Sequence, residues 1–164
     1  MNKGMDVAYF RDLDTSTMHG MYILLDIDGT LVPDGAERLG ESERERVKVL
    51  QQANTVYLCS NKPLPERNRD LAKELGLQYL DTEIRKPSKK VFAYLQVVAE
   101  QHIDPKQVMI IGDKYVTDGL CAHFIGAGFV KVRRLKNAKE RLKIRFIYLV
   151  DDIAYKLRFL EVFI

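Results

Sequence analysis

The chain has 164 residues, 46% of them hydrophobic and 30% charged, with a formal net charge of +3. That is the composition of a globular protein long enough for one sizeable core. Cys59 and Cys121 stand apart from each other and from any paired-Cys motif, which excludes a disulfide framework and a cysteine-based zinc site and leaves both as small core residues. No window reaches the ~18 apolar residues a membrane span needs, and Met1 to Gly20 lacks the apolar stretch of a secretory signal, so a cytoplasmic location is expected.

After a polar lead-in, short aliphatic or β-branched runs alternate with helix-like stretches, the pattern of a parallel sheet flanked by helices. In chain order the pattern predicts a strand at Tyr22–Asp26, a helix at Glu41–Ala53, a strand at Thr55–Cys59 and a helix at Glu66–Leu75. A short strand follows at Gln78–Leu80, then a helix at Ser88–Gln101, a strand at Val108–Ile111, a helix at Asp118–Ile125, a strand at Phe129–Val132 and a long helix at Ala138–Val162. Gly76 is placed to cap the second helix, and Asn137 with Glu140 resembles a capping box at the start of the last. No repeat or linker divides the chain, so residues 1–164 are expected to form one domain with a helical tail at about 137–164.

Open parallel sheets bind ligands beyond the carboxyl ends of their strands. Four polar clusters fall at such positions or in a loop able to reach them. The first is Asp26-Ile27-Asp28-Gly29-Thr30, where two carboxylates two residues apart leave a strand end on the same side. Like charges so close repel unless a cation or a proton relieves them, and Mg²⁺, a hard ion that commonly joins carboxylate to phosphate, is the natural partner. The second is Ser60-Asn61, the third is Lys86 before Pro87, and the fourth is Gly112-Asp113 with Thr117-Asp118. Together they suit phosphoryl transfer, which needs a nucleophile, neutralisation of the phosphoryl oxygens and protonation of the leaving group. Asp26 is the candidate nucleophile and Asp28 the candidate acid and base; Ser60, Asn61 and Lys86 are placed to hold phosphate.

In these four clusters the chain resembles the haloacid dehalogenase (HAD) superfamily of aspartate-nucleophile phosphotransferases, from Tyr22 to about Val132. The resemblance implies a doubly wound, Rossmann-like α/β sheet of about five strands. It also implies an aspartyl-phosphate intermediate and a Mg²⁺ held by Asp26, the backbone carbonyl of Asp28, and Asp113, with Thr30, Gly112 and Asp118 in support. More narrowly, Cys59-Ser60-Asn61, Leu75-Gly76-Leu77, Arg85-Lys86-Pro87 and Ile111-Gly112-Asp113 resemble the subfamily IIIA phosphatases, and among them the YqeG-type group, which includes phosphatidylglycerophosphate phosphatases. Asp28-Gly29-Thr30 departs from the Asp-Asn-Thr common in that group. Only 32 positions separate Asp28 from Ser60 and 26 separate Ser60 from Lys86, too few for an inserted cap, so an open site is expected; the resemblance implies that such capless members act on bulky or macromolecular phosphates or borrow a neighbouring subunit as a lid.

A signalling receiver also combines acidic residues, a hydroxyl and a lysine, but it splits its acidic pair and phosphoacceptor between strands, whereas Asp26 and Asp28 share one. A non-catalytic phosphate-binding scaffold is the other alternative, and the intact carboxylate set speaks against it. From Lys131 to Arg145, eight basic residues stand against Glu140 alone. This window lacks a nucleic-acid motif, and no nucleic-acid partner is expected. The stripe Phe146, Leu149, Val150, Ile153, Leu157, Leu160 and Ile164 is expected to pack on the sheet or on another subunit of a homo-oligomer, with peripheral contact to an anionic membrane as the alternative.

Overall fold

The structure is a computed structural model and describes residues 7–137 and 142–157. Five parallel strands form its sheet: β1 (Tyr22–Leu25), β2 (Thr55–Leu58), β3 (Gln78–Tyr79), β4 (Val108–Gly112) and β5 (Gly128–Lys131). Their spatial order is β3-β2-β1-β4-β5, so the chain winds outward from β1 to one edge and then returns to build the other. The five strands begin and end within a residue or so of the hydrophobic runs that predict them, and the expected Rossmann-like α/β class is the one observed.

Period-two alternation in β1 explains the two layers. Ile23 and Leu25 face a core completed by Val47 and Leu50 of α1 (Glu41–Gln51) and by Leu71 and Ala72 of α2 (Pro65–Leu75). Leu24 faces the opposite core with Val91 and Leu95 of α3 (Lys90–Val98) and Cys121 and Ala122 of α4 (Leu120–Ile125). β1 is covered on both sides, which accounts for its unbroken apolar run before Asp26.

Helix ends follow local chemistry. Pro65 occupies the first turn of α2, where its missing N–H costs nothing. Gly76 ends that helix as expected, in the left-handed region at φ +65°, and lets Leu77 N donate to Ala72 O at 2.8 Å. α3 stops short of the predicted Gln101, and Glu100 sits at φ +53° beyond its end. The predicted start of α4 at Asp118 is instead a π-helical turn, Tyr115–Gly119, leading into the helix.

The last helix, α5 (Leu142–Leu157), corrects the expected packing. Phe146, Leu149, Val150, Ile153 and Leu157 are 46% to 66% exposed, so this stripe does not pack on the sheet. The polar side faces inward. Asp151 is fully buried, accepts Val116 N at 2.8 Å and pairs with Lys131 at 2.5 Å, while Tyr155 meets Tyr115 edge-on at 5.8 Å. Leu160, Ile164 and Glu140, which enter the expected stripe and cap, lie outside the described residues.

Candidate active site

β1 and β4 are neighbours in parallel register, with Leu25 opposite Ile111. The backbone pairing runs one residue further, Asp26 N donating to Ile111 O at 2.9 Å. Asp26 and Asp113 therefore leave adjacent strand ends together. Ligand atoms of Asp26, Asp113 and Asp118 all lie within 4.8 Å of one another, and all three residues are buried.

Two glycines make the crowding feasible. Gly29 has φ +85°, and a Cβ there would collide with the Asp113 carboxylate and come within 3.0 Å of Tyr148 Oη. A Cβ at Gly112 would collide with the Asp118 carboxylate. These are the glycines of the Asp-Gly-Thr and Gly-Asp motifs; the contacts that require them come from elsewhere in the chain.

Lys86 is buried and donates to Asp26 Oδ1 at 2.7 Å, to Asp118 Oδ1 at 2.5 Å and to Cys59 O at 3.0 Å. Burial works against its charge, but Asp118 and Asp26 outweigh burial and hold the ammonium well above its usual range. Burial pushes the Asp26 carboxyl up to about 6 despite Lys86. The loop carrying Lys86 is fixed by Asn61, whose amide donates to Lys86 O and accepts from Lys86 N, each at 2.8 Å. The Asn61 side chain thus anchors the lysine loop, which leaves its backbone N–H as the group to meet phosphate.

Asp28 belongs to a separate network. Arg67 on α2 grips it with both guanidinium nitrogens, at 2.8 and 2.6 Å, and Gly35 N and Ser60 Oγ add bonds at 2.9 and 3.1 Å. Burial would raise the Asp28 carboxyl, but the Arg67 and Gly35 bonds prevail and hold it below the usual range. Its side chain is not in the acidic triad. Ser60 Oγ, expected to face phosphate, donates to Asp28. Thr30 Oγ1 donates to Asp26 Oδ2 over a long 3.4 Å.

Asp113 Oδ2 accepts Tyr148 Oη at 2.5 Å, whereas Asp113 Oδ1 is buried and has no hydrogen-bond partner. Burial pushes this carboxyl up to about 7. An orphaned carboxylate oxygen facing two other carboxylates fits a hard divalent cation. Lys114 Nζ lies 3.9 Å from this same Oδ1 as an ion pair.

Beside these groups lies a cavity of about 210 Å³, lined by Asp26, Asp28, Ser60, Asn61, Lys86 and Thr117 and rimmed by Lys62, Lys114 and Asp34. The segment between β1 and β2 supplies only a loop and α1, and that between β2 and β4 supplies α2, β3 and α3, so neither places a cap over the cavity. Burial raises the Cys59 thiol to about 11 and the Cys121 thiol to about 12, so both stay protonated and neither is a nucleophile.

Four participants escape the sequence reading: Arg67, Tyr148, Lys62 and Lys114. Lys62 and Lys114 directly follow the Ser-Asn and Gly-Asp pairs, which is a usable signal. Arg67 and Tyr148 sit on helices remote from every motif, with none.

Residues 83–155 match the family described as HAD-hydrolase-like. No curated protein matches the chain. Among solved structures, an uncharacterized protein from Listeria monocytogenes serotype 4b is similar at 19% identity and TM-score 0.53, over 74% of this chain and 84% of that one. The HAD-family enzyme bt-2542 from Bacteroides thetaiotaomicron, in complex with magnesium and inorganic phosphate, has 12% identity and TM-score 0.50 over 76% and 98% of the two chains. A magnesium-bound protein described as an HAD-hydrolase, YfnB from Bacillus subtilis, has 22% identity and TM-score 0.49 over 57% of this chain and 44% of that one. At these identities the likeness is one of fold. Over residues 83–155 the chain is thus similar to HAD-like hydrolases, and its fold is a five-stranded parallel sheet with acidic residues at adjacent strand ends.

Proposed function

We propose that the chain is a Mg²⁺-dependent phosphomonoesterase working through an aspartyl-phosphate on Asp26. The observation that carries this reading is the placing of Asp26 and Asp113 at adjacent strand ends, with Asp113 Oδ1 buried and without a hydrogen bond. Magnesium and phosphate in the bt-2542 complex support the same assignment. Asp26, Asp113 and Asp118 would hold the ion, with the Asp28 carbonyl as a further ligand. Once bound, it would screen the repulsion between Asp26 and the incoming phosphate.

In the first displacement an Asp26 oxygen bonds to phosphorus as the ester P–O bond breaks, and the leaving oxygen takes a proton from Asp28. In the second, water attacks phosphorus, its proton passes to Asp28, and the Asp26–phosphorus bond breaks to release phosphate. Lys86 holds Asp26 in line and stabilises charge on the phosphoryl oxygens. Arg67 holds Asp28 as a carboxylate, the form that receives the water proton; for the first displacement that pair has to loosen.

The uncapped cavity favours bulky phosphomonoesters. The subfamily IIIA and YqeG-type likeness rests on Cys59-Ser60-Asn61, Arg85-Lys86-Pro87 and Ile111-Gly112-Asp113, which makes phosphatidylglycerophosphate one substrate to test beside sugar phosphates and nucleotides. The deciding experiment is a screen of those substrates with and without Mg²⁺. Metal-dependent phosphate release is expected, and its absence across all classes would end the proposal.

A further inference from the structure

The outer face of α5 has the composition of a surface made to be covered. Leu142, Phe146, Leu149, Val150, Ile153 and Leu157 are all exposed, and at 100° per residue they share an arc of about 100°. The helix does not need this face to hold its place. Asp151 bonds to Val116 and Lys131, Tyr155 packs on Tyr115, and Tyr148 bonds to Asp113, all from the opposite side. So large an apolar strip on a soluble surface marks an interaction site.

We propose that this face docks on an anionic membrane surface. Charge selects the occupant. Arg145 and Lys156, both exposed, lie along one edge of the apolar arc, and α5 continues a stretch with eight basic residues from Lys131 to Arg145. Asp152, the exposed acid of the helix, is itself paired with Lys131 at 3.3 Å. An anionic bilayer takes up the apolar arc and the basic flanks at once. No helix among the described residues is long and apolar enough to cross a membrane, so the contact lies in the interface plane.

The docking stands apart from the phosphatase chemistry and is tested without it. The full chain is sedimented with phosphatidylcholine vesicles containing none or about 30% phosphatidylglycerol, the anionic component that basic residues attract. Wild type should bind only the anionic vesicles, with binding falling as salt rises through the screening range. Arg145→Gln and Lys156→Gln should each weaken binding about fivefold. The pair Leu149→Ser and Ile153→Ser should weaken it at least about tenfold while circular dichroism shows the fold retained. Failure of wild type to bind anionic vesicles overturns the proposal, as does equal binding to neutral ones. If sedimentation equilibrium instead shows a dimer that the Ser pair dissociates, a second copy covers the face and the membrane assignment is wrong.

Discussion

Tyr148 Oη donates to Asp113 Oδ2 at 2.5 Å, so a residue of the C-terminal helix orients a candidate metal ligand at the end of β4. Arg134 stacks over the same ring at 3.5 Å and keeps it in place. Outer-shell partners of metal ligands commonly change affinity by 10- to 100-fold. Tyr148→Phe should therefore weaken Mg²⁺ binding about tenfold, read by calorimetry, with little change in the circular dichroism spectrum. An unchanged Mg²⁺ affinity would reduce the contact to packing. Removing the tail from Phe146 onward should harm site and fold together, since it deletes both Tyr148 and the buried Asp151.

Asp26→Asn should abolish turnover while leaving the fold intact, because the amide cannot serve as the nucleophile. Asp113→Ala should chiefly move the Mg²⁺ dependence to higher concentration. Full hydrolysis by the first variant, or an unshifted magnesium titration in the second, would show that the roles are misassigned.

Arg67 grips both oxygens of Asp28 and is itself nearly buried, with further bonds to Asn68 Oδ1 and Ala36 O. If it aims the acid and base, its loss should depend on the leaving group. For Arg67→Met, kcat/KM should fall about 100-fold on alkyl phosphates, which need a proton, and far less on nitrophenyl phosphate, which does not. Arg67→Lys should restore part of the difference. Equal losses on both substrates would point to a general structural defect.

Burial holds the metal-free Asp26 and Asp113 carboxyls at about 6 and about 7, above the ordinary 3.8. Between the ordinary and the folded values, the unfolded chain has lost protons that the folded chain keeps, so these groups make the metal-free fold less stable as pH rises from about 4 to about 7. Mg²⁺ binds the deprotonated forms and should offset that loss. The rise in Tm on adding Mg²⁺ to protein stripped with EDTA should be small at pH 5 and grow to pH 8. A rise independent of pH would contradict it.

Asp26, Ser60 and Asp113 were legible because each stands just beyond an apolar strand: the period-two pattern sets the strand end, and the topology of a parallel sheet gathers those ends. Asp118 joins Asp26 and Asp113 from the π-helical turn after β4, and Lys86 reaches them from its loop. Arg67 and Tyr148 reach the site through the packing of α2 and α5, which local patterns do not encode. For the tail, the structure overturns packing on the sheet, one of the expected partners of the stripe. An apolar stripe ordinarily marks the inward face, but the Lys131–Asp151 pair and the Val116 bond outcompete it. The second motif carries contacts that the sequence did not announce, from Ser60 to Asp28 and from the Asn61 side chain to the lysine loop.

Asp26 and Asp113 owe their separation to the β1–β4 ladder, extended by the bond from Asp26 N to Ile111 O. Interstrand spacing is a property of backbone hydrogen bonding and hardly varies with side chains. The reactive geometry is thereby insulated from the loops around it. Within the segment from Pro33 to Gly40, the Asp34 side chain edges the cavity and can be exchanged without moving either carboxylate, whereas the backbone of Gly35 and Ala36 is tied to Asp28 and Arg67.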